Sequence, residues 1–562
     1  MPLDASPSQQ TALIDHLKKQ GDKLFARDNL MSYWEELRRN FYPERDSFTG
    51  QVTLGEDFAE DLMTSFPLVA RRDLGNTFSA MLRNSAKPWY KMKTSQPQNE
   101  DTLAKQYLEG ATELMRNAMY DTQASFVRAC READHDYVTF GQAVIQLEMH
   151  RPRNGSTPHL LYRCRHLRDV AWCEGVTGQI DTIYRRDKLT AIDINRLWPN
   201  KIHQQVKEKL KETPYDTVNV WHVVLPADIY EMMPGGRKMR QPWVSIYIDV
   251  DNKVELECVG QWTRGYVIPR WQTVSGSQYA HSAALVAALP DARLLQAVTL
   301  VLLEVGEKAA NPPVIATENV VRSDIALFPG GRTWVSEEYD ERLGEALRPI
   351  TQDKTGLTFA LELVRDIRLG LRDAMFLNKL DMPPVGGPEM TAYEVGQRIQ
   401  EYVRNALPLF EPVETDYSAW LCEDSFELLY RNEPLLQTML PPSLSEVERT
   451  FEFESPLKAA AEKAKAGQFI EAGQIIAAAA QRDPNTILLM DDLKATRDVL
   501  GAVVPAKWMR GEDEVNRTIA NQRAKQEQER MLALMAEGAK TAKLGSEAAA
   551  NMSAASPSFQ MQ

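Results

Sequence analysis

The chain has 562 residues, 43% hydrophobic and 25% charged, and its 78 Asp and Glu outweigh 65 Lys and Arg to give a net charge of −13. This is the composition of a folded protein of several modules. The acidic balance argues against a protein that coats nucleic acid by neutralising phosphates, because such affinity grows with surplus Lys and Arg. The longest apolar runs, Ala283–Leu289 and Ala297–Leu303, fall short of the roughly 20 residues that cross a bilayer. The N-terminus MPLDASPSQQ lacks the apolar core of a signal peptide, so a cytoplasmic product is expected. Five cysteines, Cys130, Cys164, Cys173, Cys258 and Cys422, form no CxxC pair and read as buried free thiols.

Apolar residues at helical spacing (Leu13, Leu17, Leu24, Phe25, Tyr33, Trp34, Leu37) predict helix over 8–40, stopped at Pro43. Two more helical blocks follow at 59–86, which ends before Pro88, and at 101–139. From Phe140 the period falls to two, and strands are predicted at 143–151, 160–167, 179–186, 217–225, 242–250 and 253–260, with a short helix near 188–212. Glu174-Gly175-Val176-Thr177-Gly178 makes the turn into the third of these strands.

Helix returns over 283–310, interrupted by Pro290, with Leu294, Leu295, Val298, Val301, Leu302 and Val305 on one face, and ends at Asn311-Pro312-Pro313. A further helix is predicted at 354–377, then the loop DMPPVGGPE (381–389), then a helix that starts at Thr391 and runs toward Tyr430. Thr391-Ala392-Tyr393-Glu394 fits the capping box in which Thr391 and Glu394 satisfy each other's backbone N–H groups. The Pro/Gly-rich loop between these helices is too long for a minimal helical hairpin and too apolar for a plain linker. Residues 455–530 read as Ala-rich helix and the last twenty or so as disordered.

The search for chemistry is nearly empty. The chain contains no GxxxxGK[ST], HExxH, GxSxG or helix-opening GxGxxG. His159, Cys164, His166 and Cys173 are the nearest approach to a metal cluster, but their spacing matches no zinc pattern and packed strand residues are the better reading. In Asp134-His135-Asp136, successive helical side chains point about 100° apart, so cooperation in catalysis is not expected. Asp491-Asp492 read as helix-dipole complements. Trp34, Tyr42, Trp89, Tyr90 and Trp271 read as packing anchors rather than a base-stacking surface.

Seven strings are specific: LGNTFSAMLRNSAKPWYKM (74–92), DYVTFGQAVIQLE (136–148), GQIDTIYRR (178–186), YVIPRWQTVSGSQYAHS (266–282), ANPPVIA (310–316), LFPGG (327–331) and EMTAYEVGQR (389–398). In this order they resemble the head-to-tail connector (portal) proteins of short-tailed, T7-like bacteriophages. One departure is Tyr279-Ala280-His281-Ser282, where relatives carry a Tyr-Gly pair, so a different local turn is expected.

The resemblance implies a predominantly helical α+β fold of portal type, with a wing at 1–286 (helical 1–139, β-rich 140–280), a stem helix at 287–310, a clip at 311–352 and a second stem helix at 353–377. A channel loop at 378–390, a long wing helix at 391–439, a crown at 440–530 and a disordered tail at 531–562 complete it. It implies a ring of about twelve subunits at one capsid vertex, through which double-stranded DNA is packaged by a separate terminase and later ejected. The partners would be the major capsid or scaffold protein, a tail adaptor and the DNA in transit, with no membrane, cofactor, metal or catalysis, and the location is the virion.

In the loop, Lys379 would touch passing phosphates briefly beside Leu380 and Asp381, while Met382, Pro383, Pro384 and Val385 form an apolar constriction. An acidic conduit suits DNA that must slide, since each tight phosphate contact would hold it. The alternatives are another virion ring or tail adaptor, for which the stem–loop–helix unit is superfluous, and a packaging nuclease or ATPase subunit, against which the missing phosphate loop counts.

Overall fold

A computed structural model describes residues 7–310 with short gaps, 314–316, 334, 342, 347–349, 355–380, 412–453 with one gap, and scattered positions beyond 468. The chain divides into two units, Met1–Lys458 and Ala459–Gln562. In the second, the described residues at 517–522 and 524–532 are helical.

The helix expected over 8–40 is two, α1 (Pro7–Phe25) and α2 (Asp28–Phe41). The break at Ala26-Arg27 lets Arg27 turn inward, where Nη1 donates to Tyr279 Oη at 2.7 Å and Nη2 to the carbonyls of Leu167 and Val170 at 2.7 and 2.8 Å. Apolar periodicity cannot register a break made for a partner 252 residues away. Next come α3 (Phe66–Leu82), opened by Pro67 in its first turn, and β1 (Tyr90–Thr94). The block expected at 101–139 also divides, into α4 (Thr102–Met119) and α5 (Phe126–Phe140), with Ser125 left-handed at φ 55° between them. Gly141 ends α5 at φ +76°, and a Cβ there would lie 2.1 Å from the His281 carbonyl carbon. Only glycine satisfies both conditions. The close approach next to the Tyr279–Ser282 departure is thus made by a glycine on the opposing strand of chain.

The β-rich part carries β2 (Ile145–His150), β3 (His159–Cys164), β4 (Val170–Glu174), β5 (Ile180–Thr190), α6 (Ala191–Leu197), α7 (Gln204–Glu212), β6 (Thr217–Pro226), α8 (Ala227–Met232), β7 (Trp243–Asp249), β8 (Val254–Gln261) and β9 (Tyr266–Val267). An antiparallel five-stranded sheet has the order β4-β5-β6-β7-β8, and a three-stranded sheet the order β3-β2-β9. Side chains alternate along β6. Trp221, Val223 and Leu225 pack with Leu13, Ile14 and Leu17 of α1, while Val218 and Val220 pack with Ile194 and Val206 of α6 and α7. Both faces are therefore covered.

Beyond residue 284 lie α9 (Leu285–Ala310), β10 (Val314–Ala316), β11 (Leu347–Pro349), α10 (Thr355–Ala374), α11 (Leu377–Leu380), α12 (Ala419–Asn432), α13 (Pro434–Thr438) and β12 (Arg449–Phe453). β12 returns to pair with β1, Tyr90 opposite Phe453. The described part of the long helix expected to reach Tyr430 begins at Pro412, and Glu414–Ser418 form a π turn before α12, with Tyr417 and Ser418 buried. The main core joins Trp34, Phe78, Tyr137, Trp271, Tyr417 and Leu421. The fold is α+β.

Candidate functional site

The helical hairpin of α9 and α10 stands out because its apolar content exceeds what the subunit buries. Ser282 starts α9: its Oγ accepts the Leu285 N–H at 3.1 Å and donates to the Val138 carbonyl at 2.5 Å. Pro290 is held inside the helix on its exposed side and does not interrupt it. Leu285, Ala288, Leu289, Ala292 and Leu295 recur at three- and four-residue steps and enter the core. Further along, Val298 and Leu302 are half-buried against it. The other side remains outside: Leu300, Val301 and Leu303 are 42%, 56% and 57% exposed.

α9 is long and apolar enough, by length and composition, to cross a membrane, although no uninterrupted apolar run in the sequence is. Its neighbour is not. Val364, Ile367 and Leu371 of α10 are buried, yet Glu362, Arg365, Asp366, Arg368, Arg372 and Asp373 project outward. A hairpin bearing six such charges on one arm is costly in hydrocarbon. Phe359, Leu361 and Leu369 of α10 are exposed beside them.

The base of the hairpin is bolted down. Gln296 Oε1 accepts the N–H groups of Met63 and Thr64 at 2.8 and 3.0 Å, and its Nε2 donates to the Thr64 carbonyl at 3.1 Å. Arg293 Nε donates to Glu36 of α2 at 2.6 Å. A Cβ at Gly370 would come within 3.4 Å of Asp291 Oδ2, which places the start of α9 beside the end of α10 and makes the pair antiparallel. At the far end β10 and β11 pair antiparallel, Ile315 opposite Arg348.

α10 stops at a bulky residue in the left-handed region. Phe376 has φ 57°, donates its N–H to the Asp373 carbonyl at 3.0 Å and lies 6.3 Å from the Trp271 ring. Asn378 Nδ2 bonds the Asp373 carboxylate across this turn. The backbone of Lys379 and Leu380 then ends α11. Asp381, Met382, Pro383, Pro384, Val385, Thr391 and Glu394 lie outside the described residues, as do Asp491 and Asp492.

The other candidates are dispersed. Asp134 pairs with Arg83, His135 Nδ1 lies 3.1 Å from Arg71 Nη1, and Asp136 accepts from Arg45 Nη2 at 2.6 Å, so each of the three faces a different arginine. Burial, reinforced by Arg71 and Arg131, pushes His135 down to about 4. His166 accepts the Arg168 N–H and touches the Asp46 carbonyl, whereas Cys164 points to Asp136. His159 stacks edge-on with His150 across β2 and β3. Among the described residues no group of three or more His, Cys, Asp and Glu could hold a metal ion. All five cysteines are free thiols, Cys130 and Cys422 buried and the others half-buried.

The exposed Leu300 and Leu303 were absent from the single apolar face expected for α9. The signal that could have found them is that Leu294–Val305 is apolar nearly all the way round, which a helix carries when something covers every side.

The chain matches the family described as bacteriophage head to tail connecting protein over residues 15–503. It is 26% identical over 449 residues to a probable portal protein of Bordetella phage BPP-1, covering 78% of each chain. It is 22% identical over 318 residues to the portal protein of Salmonella phage epsilon15, covering 55% of each. The family is a structural one, not a family of enzymes. With 489 consecutive positions inside that match, the chain belongs to the bacteriophage head-to-tail connecting proteins.

Proposed function

We propose that the chain is the portal subunit of a short-tailed phage: copies close into a ring of about twelve at one capsid vertex, by heterologous contacts that repeat around an axis. Double-stranded DNA passes inward through the ring during packaging and outward at ejection, and the tail attaches to it. The single observation that carries this reading is the α9–α10 hairpin, whose outer side is apolar along α9 and mixed apolar and charged along α10. A lone soluble subunit gains nothing from that surface; a ring member covers it with its neighbour.

In this reading residues 1–286 are the wing, 287–310 and 353–377 the stem helices, 311–352 the clip and 440–530 the crown. In the same reading the segment that follows α11 projects toward the axis, with Lys379 of α11 meeting phosphates in passing and Met382, Pro383, Pro384 and Val385 narrowing the bore. A terminase, the capsid or scaffold protein and a tail adaptor dock on the ring, which is built from subunits made in the host cytoplasm and ends in the virion.

Complementation tests the role. A phage deleted for this gene and supplied with the chain in trans should fill its heads with DNA, and should yield empty heads without it. DNA-filled heads in the uncomplemented deletion would exclude the proposal.

A further inference from the structure

The exposed charges of α10 are sorted by sign. At about 100° per residue, Glu362, Asp366 and Asp373 fall within roughly 40° of one another around the helix axis, and Arg365, Arg368 and Arg372 within roughly 60°. The two stripes lie about 105° apart, with the exposed Leu369 between them and the buried Val364, Ile367 and Leu371 on the opposite side.

This order costs a lone helix. Glu362 and Asp366, four residues apart, repel each other, as do Arg365 with Arg368 and Arg368 with Arg372. Only Glu362 and Arg365, of these six, are an attractive pair at such spacing. Among the described residues, Glu362, Arg365 and Asp366 have no ion-pair partner within the subunit. The stripes also border different flanks. Beside the acidic one is α9, where Asp291 Oδ2 would lie 3.4 Å from a Cβ at Gly370. Beside the basic one is the start of α3, where Arg368 lies over the Phe66 ring, 5.5 Å from its centroid.

We infer that the partner of these stripes is a second copy of this chain, the acidic stripe of one α10 facing the basic stripe of the next. This rests on the ring reading above, and adds to it what fixes the way round in which neighbouring subunits meet. Head-to-tail contacts bring one flank of each subunit against the other flank of its neighbour. Opposite charges on the two flanks attract in that arrangement, and like stripes brought together repel. Duplex DNA is the poorer partner, because three carboxylates beside three guanidiniums cancel the attraction for phosphates.

The experiment is charge exchange in the full chain, read by mass photometry. Glu362→Lys with Asp366→Lys makes both stripes basic, and Arg365→Glu with Arg372→Glu turns the basic stripe acidic. Each variant alone should lose rings, because like charges weaken every subunit contact by at least about 10-fold. Its thermal unfolding midpoint should stay near that of wild type, since the positions are exposed. Mixed in equal amounts, the two variants should recover rings by alternating, and those rings should hold even numbers of subunits. Should a double variant fail to fold, the single substitutions Asp366→Lys and Arg365→Glu are tested in the same way. Rings at the wild-type level from either folded variant alone, or a mixture of folded variants that stays monomeric, would overturn the pairing and leave the ring reading intact. A wild-type chain that forms no ring would overturn the ring reading, and the pairing with it.

Discussion

Val301→Asp separates an interface from a surface. Val301 is 56% exposed and sits between Leu300 and Leu303, exposed by 42% and 57%. In a free subunit the substitution puts a carboxylate into water and costs the few tenths of a kcal/mol by which Asp differs from Val in a helix. In a ring the same position is covered. Removing the exposed half of a valine loses about 0.8 kcal/mol of burial, and enclosing an unpartnered carboxylate adds roughly 2 kcal/mol or more. The sum, about 3 kcal/mol, weakens each subunit contact by roughly 100-fold. Every subunit of a closed ring makes two such contacts, so the ring should give way to monomers. Mass photometry of the purified proteins reads the ring population, and thermal unfolding of the monomer reads the fold. A ring population equal to wild type would refute the reasoning, and so would a monomer whose unfolding midpoint collapses, because the residue would then serve the subunit's own core.

Three further substitutions probe buried charges. Asp424 of α12 has its carboxyl pushed up to about 7, chiefly by burial and against the pull of Arg264; the folded state keeps a proton the unfolded chain releases, so stability falls as pH rises from about 4 to 7. Asp424→Asn should flatten that fall and raise the melting midpoint at pH 8, by about 2–4 °C per kcal/mol recovered, with the two proteins alike near pH 4; Asp136, pushed up to about 6, leaves some slope in place. Arg83→Met strands the carboxylate of Asp134 in the core and should cost about 3–5 kcal/mol in denaturant unfolding. Adding Asp134→Leu should return most of that loss, whereas equal instability of the single and double variants would show that the pair is not the cause.

How much of this was legible follows from the range of each interaction. Six strands of the β-rich part were legible to within a few residues, most closely β6, where TVNVWHVVL alternates between two covered faces and the structure has Thr217–Pro226, while the one helix expected near 188–212 is two, Ala191–Leu197 and Gln204–Glu212. α9 was placed within two residues of its start. Breaks inside helical runs were not legible, because distant partners set them. α1 and α2 part so that Arg27 can reach Tyr279, and the π turn at Glu414–Ser418 brings the Tyr417 ring under Arg83, 4.5 Å away. β4 was hidden because its five residues sit in a short run before the Glu174–Gly178 turn, and β12 because its partner β1 lies over 350 residues away. At the candidate site, periodicity placed the two hairpin helices and marked Val301, but an apolar residue facing a neighbouring subunit has the same letter as one facing the core. Only packing within the subunit separates Leu295, buried, from Leu300, exposed.

The most direct test of the central claim is electron microscopy of the purified chain, with class averages of end-on views. The account predicts closed rings with an open centre and about twelve-fold symmetry, each subunit's α9–α10 hairpin lying against the next. Compact particles without an axial hole, or rings in which the outer side of that hairpin faces solvent, would contradict it.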